Sequence, residues 1–234
     1  MRSEDEYVGP RDAQGLPHGA GKKLYAAGDV YEGEYQHGLK HGRGKYLQAD
    51  GTSYEGHYKK DKRHGKGRVK FANGNTFEGT YVEGVIQGYG SKTLVEGADY
   101  VGLWKDGKPH GSGVATSKDG EKYEGTFFKG NKEGEGTVTY PSGDVLVAFF
   151  LGDKPQKGTL TSKDFVFEGD FDDKARPDKG TITYADGRPK YTGRFTNGRP
   201  NAANVKPNAP PAKQASATAI KPVRPAPVRA SKTR

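Results

Sequence analysis

The 234-residue chain is predicted to be all-β: an elongated, twisted single antiparallel sheet of tandem β-hairpins, solenoid-like, followed by a disordered C-terminal tail. Three observations predict it. Aromatic residues recur at intervals of 22–24 positions, each opening a short alternating run. Glycine fills 36 positions while hydrophobic residues make up only 31% of the chain, against roughly 45–50% in a compact domain. So little apolar mass cannot fill a thick two-layer core, but it suits a thin object in which each unit touches only its neighbours. Asx-Gly pairs also recur between the runs, the strongest short-range signal for a hairpin.

Residues 1–6 form a charged lead without the apolar core of a signal peptide. Residues 7–200 hold the repeats. Units start at Tyr7, Tyr31, Tyr54, Phe77, Tyr100, Tyr123, Val145 and Phe167, with a partial unit at Tyr191. Two places after the start stand Gly9, Gly33, Gly56, Gly79, Gly102, Gly125, Gly169 and Gly193, with Val147 as the exception. Four places after it stand Tyr35, Tyr58, Tyr81, Trp104, Phe127, Phe149, Phe171 and Phe195. A third register, Gly44 through Gly180, falls thirteen places on.

Within one unit, Tyr31, Gly33 and Tyr35 share one face of a strand, and Glu32 and Glu34 share the other. Gly44, Tyr46 and Gln48 continue the first face on a second strand. The segment Gly38–Gly42 reads as the loop between them, and Asp50-Gly51, Asn73-Gly74, Asp119-Gly120 and Asp186-Gly187 read as turns with both residues at positive φ. Glycine weakens a strand interior unless another group needs the space. Here the recurrent reason is room for rings from neighbouring strands. At ~4.8 Å per strand, eight such units extend on the order of 75 Å.

The run Tyr-Glu-Gly-x-Tyr followed by His-Gly-x-Gly, nearly intact at 31–44 and 54–67, resembles the MORN repeat family across about residues 7–200. The resemblance implies a non-catalytic scaffold, with phospholipid binding proposed for some members. The first unit, Tyr7-Val8-Gly9 through Leu16-Pro17-His18-Gly19, resembles the start of the radial spoke head proteins of cilia and flagella in its longer first loop. That resemblance implies a cytoplasmic, cytoskeletal protein of the axoneme, with other axonemal proteins as partners. The rival expectation is a membrane-associated scaffold binding anionic phosphoinositides. The aromatic face Tyr31, Tyr35, Tyr54, Tyr58, Phe77, Tyr81, Tyr100, Trp104, Tyr123 and Phe127 is the expected partner groove.

Catalytic readings fail on pattern. No cysteine is present, so disulfides and thiolate chemistry are excluded. No cofactor motif is found. Gly42-Arg43-Gly44 and Gly65-Lys66-Gly67 lack the Lys-Ser/Thr and following helix of a phosphate loop, and no helical or coiled-coil pattern occurs in 7–200. Glu32, Glu55, Glu78, Glu124 and Glu168 form a solvated ladder that Lys and Arg on adjacent strands can pair. His18, His41, His64 and His110 each precede a loop glycine. Equivalent positions two strands apart stand roughly 10 Å from one another, too far to share a metal, so a structural role in the loops is expected.

The unit from Val145 breaks the pattern, because Val145–Leu151 is apolar on both faces. Leu146 and Phe150 are expected to face away from the tyrosine–glycine face as a second interface, covered by a partner, a second copy or a segment of this chain. A homodimer is left open. The seven-residue run is far short of the ~20 needed to cross a bilayer as a helix. Residues 201–234 are rich in Pro and Ala and carry seven basic side chains, Lys206, Lys213, Lys221, Arg224, Arg229, Lys232 and Arg234, with no acid. They hold most of the +9 formal charge. Such a tail cannot form a core. Its expected partners are acidic surfaces, tubulin or anionic lipid; with no interleaved aromatic, nucleic acid is disfavoured.

Overall fold

A computed structural model describes residues 4–201. The expectation for the basic tail, from Lys206 to Arg234, lies outside the described residues. Each hairpin contributes two strands. They are β1 (Glu6–Val8) and β2 (Gly19–Leu24); β3 (Val30–Gln36) and β4 (Leu39–Leu47); β5 (Ser53–Lys59) and β6 (Lys62–Lys70); β7 (Thr76–Val82) and β8 (Val85–Thr93); β9 (Asp99–Lys105) and β10 (Lys108–Thr116). They continue with β11 (Lys122–Phe128) and β12 (Asn131–Thr139); β13 (Val145–Leu151) and β14 (Lys154–Thr161); β15 (Phe165–Phe171) and β16 (Pro177–Tyr184); β17 (Tyr191–Thr196) and β18 (Arg199–Pro200). Every strand pairs antiparallel with its sequence neighbours, giving one 18-stranded meander as the sequence predicts. Among the described residues no helix is long and apolar enough to cross a membrane.

The register aligns the glycines into one row across the sheet. Gly21 pairs Gly33, Gly33 pairs Gly44, Gly44 pairs Gly56, and the row continues through Gly125 and Gly136. It breaks once, at Ala148, and resumes at Gly158, Gly169, Gly180 and Gly193. The unit start assigned to Val145 is therefore one residue early. Leu146, not Val145, occupies the place of Tyr31, and Phe150, not Phe149, the place of Tyr35.

Turn chemistry also differs from expectation. The tight two-residue turns lie inside the units, at His37-Gly38, Lys60-Asp61, Glu83-Gly84, Asp106-Gly107, Lys129-Gly130, Gly152-Asp153 and Asn197-Gly198, with positive φ at both positions. This is the conformation whose twist matches the flanking strands. At Asp50-Gly51 and Asn73-Gly74 only the glycine turns left-handed. There the Asx carboxyl or amide oxygen instead accepts from the backbone two residues on, from Thr52 N (2.7 Å) and Asn75 N (3.1 Å).

The segment expected to be a loop, Gly38–Gly42, is mostly strand. β4 carries two more residues than β3 between the pairs Gly33–Gly44 and Glu34–His41, a bulge centred on Gly42 at φ +57°. The same bulge recurs in β6, β8, β10 and β12. Turns dock on the preceding unit along this edge, with Gly84 N on Arg63 O, Gly107 N on Ile86 O and Gly130 N on Pro109 O. On the other edge Asp29 accepts from Ala49 N and Asn75 from Val95 N. Substantial contacts between strands are confined to sequence neighbours.

Candidate interaction surface

The face holding Tyr31, Gly33 and Tyr35 is the core of the molecule. In each regular unit the first tyrosine lies along the strand over the glycine pair, and its hydroxyl donates to the carbonyl three residues on. Tyr31 reaches Glu34 O, Tyr54 reaches His57 O, Tyr100 reaches Leu103 O and Tyr123 reaches Thr126 O, at 2.8–3.0 Å. A Cβ on Gly33 would stand 2.6 Å from the Tyr31 hydroxyl, so the row must be glycine wherever a ring covers it. Rings from adjacent units then meet edge-to-face. Tyr31 touches Tyr35 and Tyr58, Tyr54 touches Tyr58 and Tyr81, and the chain continues through Phe77, Trp104, Tyr100, Phe127 and Tyr123 to Phe150, with centroids 5.0–5.7 Å apart. The Trp104 indole N–H donates to Gly90 O at 3.1 Å.

Cations lie over the rings. Lys40 stands over Tyr46 at 4.4 Å, Arg63 over Tyr54 at 4.7 Å and Lys132 over Tyr123 at 4.9 Å. Burial pushes the Lys40 ammonium below its ordinary range. Burial likewise pushes the phenols of Tyr54, Tyr100 and Tyr123 up to about 12, so the layer holds them neutral.

The expected partner groove is therefore not a surface. Tyr31, Tyr35, Tyr54, Tyr58, Phe77, Tyr81, Tyr100, Trp104, Tyr123 and Phe127 are all buried, none more than 7% exposed. Their rings bury one another, so none is free to meet a partner. The second-face expectation for Leu146 and Phe150 also fails. They are 1% and 2% exposed on the aromatic face, and Phe150 packs against Tyr123. The one-residue misalignment of this unit inverted its faces, because side-chain direction alternates along a strand. The outward residues are Val147, Phe149 and Leu151, 53%, 50% and 56% exposed.

That outer face has two zones. Cross-strand neighbours run Lys22, Glu32, Lys45, Glu55, Arg68 and Glu78, an alternation of charge across six strands. This is the glutamate ladder expected from the sequence, with its cations supplied by the second strands. From β8 onward the alternation stops. Ser91, Val101 and Val114 follow in the same row, and Tyr89 faces Leu103 in the next row. The row continues through Glu124 and Thr137 to Val147, so exposed apolar side chains gather at Tyr89, Val101 and Leu103 on β8–β9 and at Val147, Phe149 and Leu151 on β13, with Phe128 at the end of β11. The signal in the sequence was the loss of glutamate one place after the start, at Val101 and again at Val147.

His41, His64 and His110 sit on separate strands. The expected loop hydrogen bonding is not general. His64 Nδ1 is buried without a hydrogen-bond partner among the described residues and stands 3.7 Å from Glu83. His18, however, meets His37, which occupies a different place in the repeat, with ring centroids 5.0 Å apart. Comparison along repeat-equivalent positions could not find that pair.

A family model described as the MORN repeat matches residues 13–30, 31–53, 54–76, 77–98, 100–122 and 123–145. A search of curated proteins finds no match. Among solved structures, the chain is similar to the TCP domain of Drosophila melanogaster SAS-4 (dCPAP), solved in complex with a proline rich motif of Ana2 (dSTIL). The identity is 10%, the TM-score 0.41, and the match covers 68% of this chain and 84% of that one. It is also similar to the wild-type TCP10 domain of Danio rerio CPAP, with 16% identity, a TM-score of 0.31 and coverage of 76% and 78%.

Proposed function

The chain belongs to the MORN-repeat family, and from that premise we propose that it is a non-catalytic protein-interaction scaffold of a cytoskeletal assembly, assigned first to a ciliary or flagellar axoneme. The observation that carries the scaffold reading is the division of labour between faces. The aromatic layer is consumed in holding successive hairpins together, which leaves a long outer face to meet other molecules. Its charged zone over β2–β7 and its exposed apolar side chains on β8–β9 and β13 offer two different chemistries on one support. The axonemal assignment rests on the long first loop, Gly9–His18, and its likeness to radial spoke head proteins.

The rival reading, a scaffold on anionic phospholipid, draws on the seven basic residues of the tail. Both readings are tested together by microtubule pelleting and by flotation with phosphoinositide vesicles, using the full chain and a chain ending at Pro200. The full chain is expected to pellet with microtubules. The shorter chain should bind more weakly at low ionic strength and with a smaller salt slope, since the attraction of the basic side chains it lacks is screened by salt. Flotation without pelleting would replace the cytoskeletal reading with the lipid one.

A further inference from the structure

The first hairpin has the longest connection; β15 and β16 are joined by five residues, 172–176. Seven later hairpins turn in two residues, but Val8 and Gly19 are joined by the ten residues Gly9–His18. This loop is folded on itself. Arg11 bridges Pro17, Asp12 N donates to Leu16 O, and His18 N donates to Pro10 O. Asp12 Oδ1 accepts from Gln14 N (3.0 Å) and Leu16 N (2.9 Å), which fixes the carboxylate with Oδ2 toward His37. The loop is then tied to the β3–β4 turn, where Gly38 N donates to Pro17 O at 2.8 Å.

At that joint three side chains converge. Asp12 Oδ2 lies 2.9 Å from His37 Nδ1, and the His18 ring stands edge-on to His37. One donor atom from each of Asp12, His18 and His37 lies within 4.8 Å of the other two. We propose that these three residues form a binding site for a borderline divalent transition-metal ion of the Zn²⁺ class, which staples the first loop to the first tight turn.

The donor set is the argument. Two imidazoles and one carboxylate are ligands that such ions take, at about 2.0–2.2 Å from each donor, with water in the remaining position. Both histidines are exposed, so their rings can rotate to close the remaining separation. The fixed carboxylate supplies a preorganised ligand, its second oxygen already held by backbone N–H groups in the manner of an outer-shell partner. His37 is not required by its turn. It sits at φ +48°, where sibling turns hold Lys60, Glu83, Asp106 and Lys129 with the same backbone. The ligands come from the insertion that distinguishes the first unit and from the turn it rests on. Among the described residues β1 pairs only with β2, and a metal bridge would add a tie between the first hairpin and the next unit.

The test is calorimetric titration of the untagged full chain with ZnCl₂, beside hydrogen exchange with and without zinc. One saturable site per chain is expected, with increased protection at residues 10–18 and 36–39. His18→Ala and His37→Ala should each weaken binding by about tenfold or more, as loss of a ligand from a three-residue site requires. His41→Ala, on β4 but outside the cluster, should bind as the parent does. These variants leave the Asp12 backbone contacts intact, so the loop keeps its fold. No saturable site below about 1 mM, or an affinity in His18→Ala and His37→Ala equal to the parent's, would overturn the site and leave Asp12–His37 as a surface hydrogen bond only.

Discussion

Tyr31 and Gly33 explain each other. The ring lies flat over a strand only where the backbone beneath lacks a Cβ, and the bare backbone is acceptable only because the ring covers it. The single exception tests the rule. At Ala148 the methyl group occupies the glycine row, and the residue that would cover it is Leu146 rather than an aromatic. The two departures are matched: without a ring reaching along the strand, a methyl fits. Leu146→Tyr alone should therefore destabilise the chain by about 1–3 kcal/mol through overpacking. Ala148→Gly alone should cost roughly 0.5–1 kcal/mol as a strand glycine. Together they should recover most of the loss, because the new ring can lie as Tyr31 does and meet Phe150 and Phe171. Denaturant unfolding of the four proteins measures the coupling. Additive losses would mean that ring and glycine do not constrain each other.

The five hairpins from β3–β4 to β11–β12 share three left-handed features: the tight turn, the bulge and the turn to the next unit. In the recurrent His-Gly-x-Gly, the two glycines do different work. Gly42 takes positive φ in the bulge, and Gly44 lies under the Tyr31 ring. The sequence shows both positions but not their roles, so Asx-Gly reads as the hairpin turn and the bulge as a loop. His37, Lys60 and Glu83 gave no turn signal, because composition alone does not mark a non-glycine residue at positive φ. β14 and β16 have one-residue bulges without that glycine, and across β13–β14, from Leu146 to Phe167, the spacing shortens to 21 residues. That shortening misplaced the start by one residue and turned Leu146 and Phe150 to the wrong face. Two pairs of substitutions on β13 should now behave oppositely. Leu146→Ser with Phe150→Ser should unfold the units around β13, since both side chains are core. Val147→Ser with Phe149→Ser should leave the far-ultraviolet spectrum and thermal midpoint nearly unchanged, as both are half exposed. A similar loss of midpoint in both pairs would mean that the outer face is not free.

At the scale of the molecule, contacts run between sequence neighbours and one edge-to-face chain of rings threads the units. The chain runs unbroken to Phe150, lapses at Leu146, and resumes among Phe171, Phe167, Phe195 and Tyr191. The family model also ends at residue 145, while hairpins of the same register continue to Pro200. Period and alternation made the all-β meander legible. What they could not show was that a single sheet buries its aromatic face with its own rings, so a row of aromatics read as a groove when it is the core. A molecule held this way should open unit by unit, as nearest-neighbour repeats do. Trp104 is the place to probe it, lying between Phe77 and Tyr100 and donating to Gly90. Trp104→Ala should cost about 3–5 kcal/mol locally. Native-state hydrogen exchange of this variant tests the arrangement most directly. The expected result is lost protection in β7–β12, centred on β8–β10, with β3–β5 and β15–β17 exchanging as in the parent chain. Equal loss of protection in every strand would contradict it, because the sheet would then be one cooperative unit and not a chain of neighbour contacts.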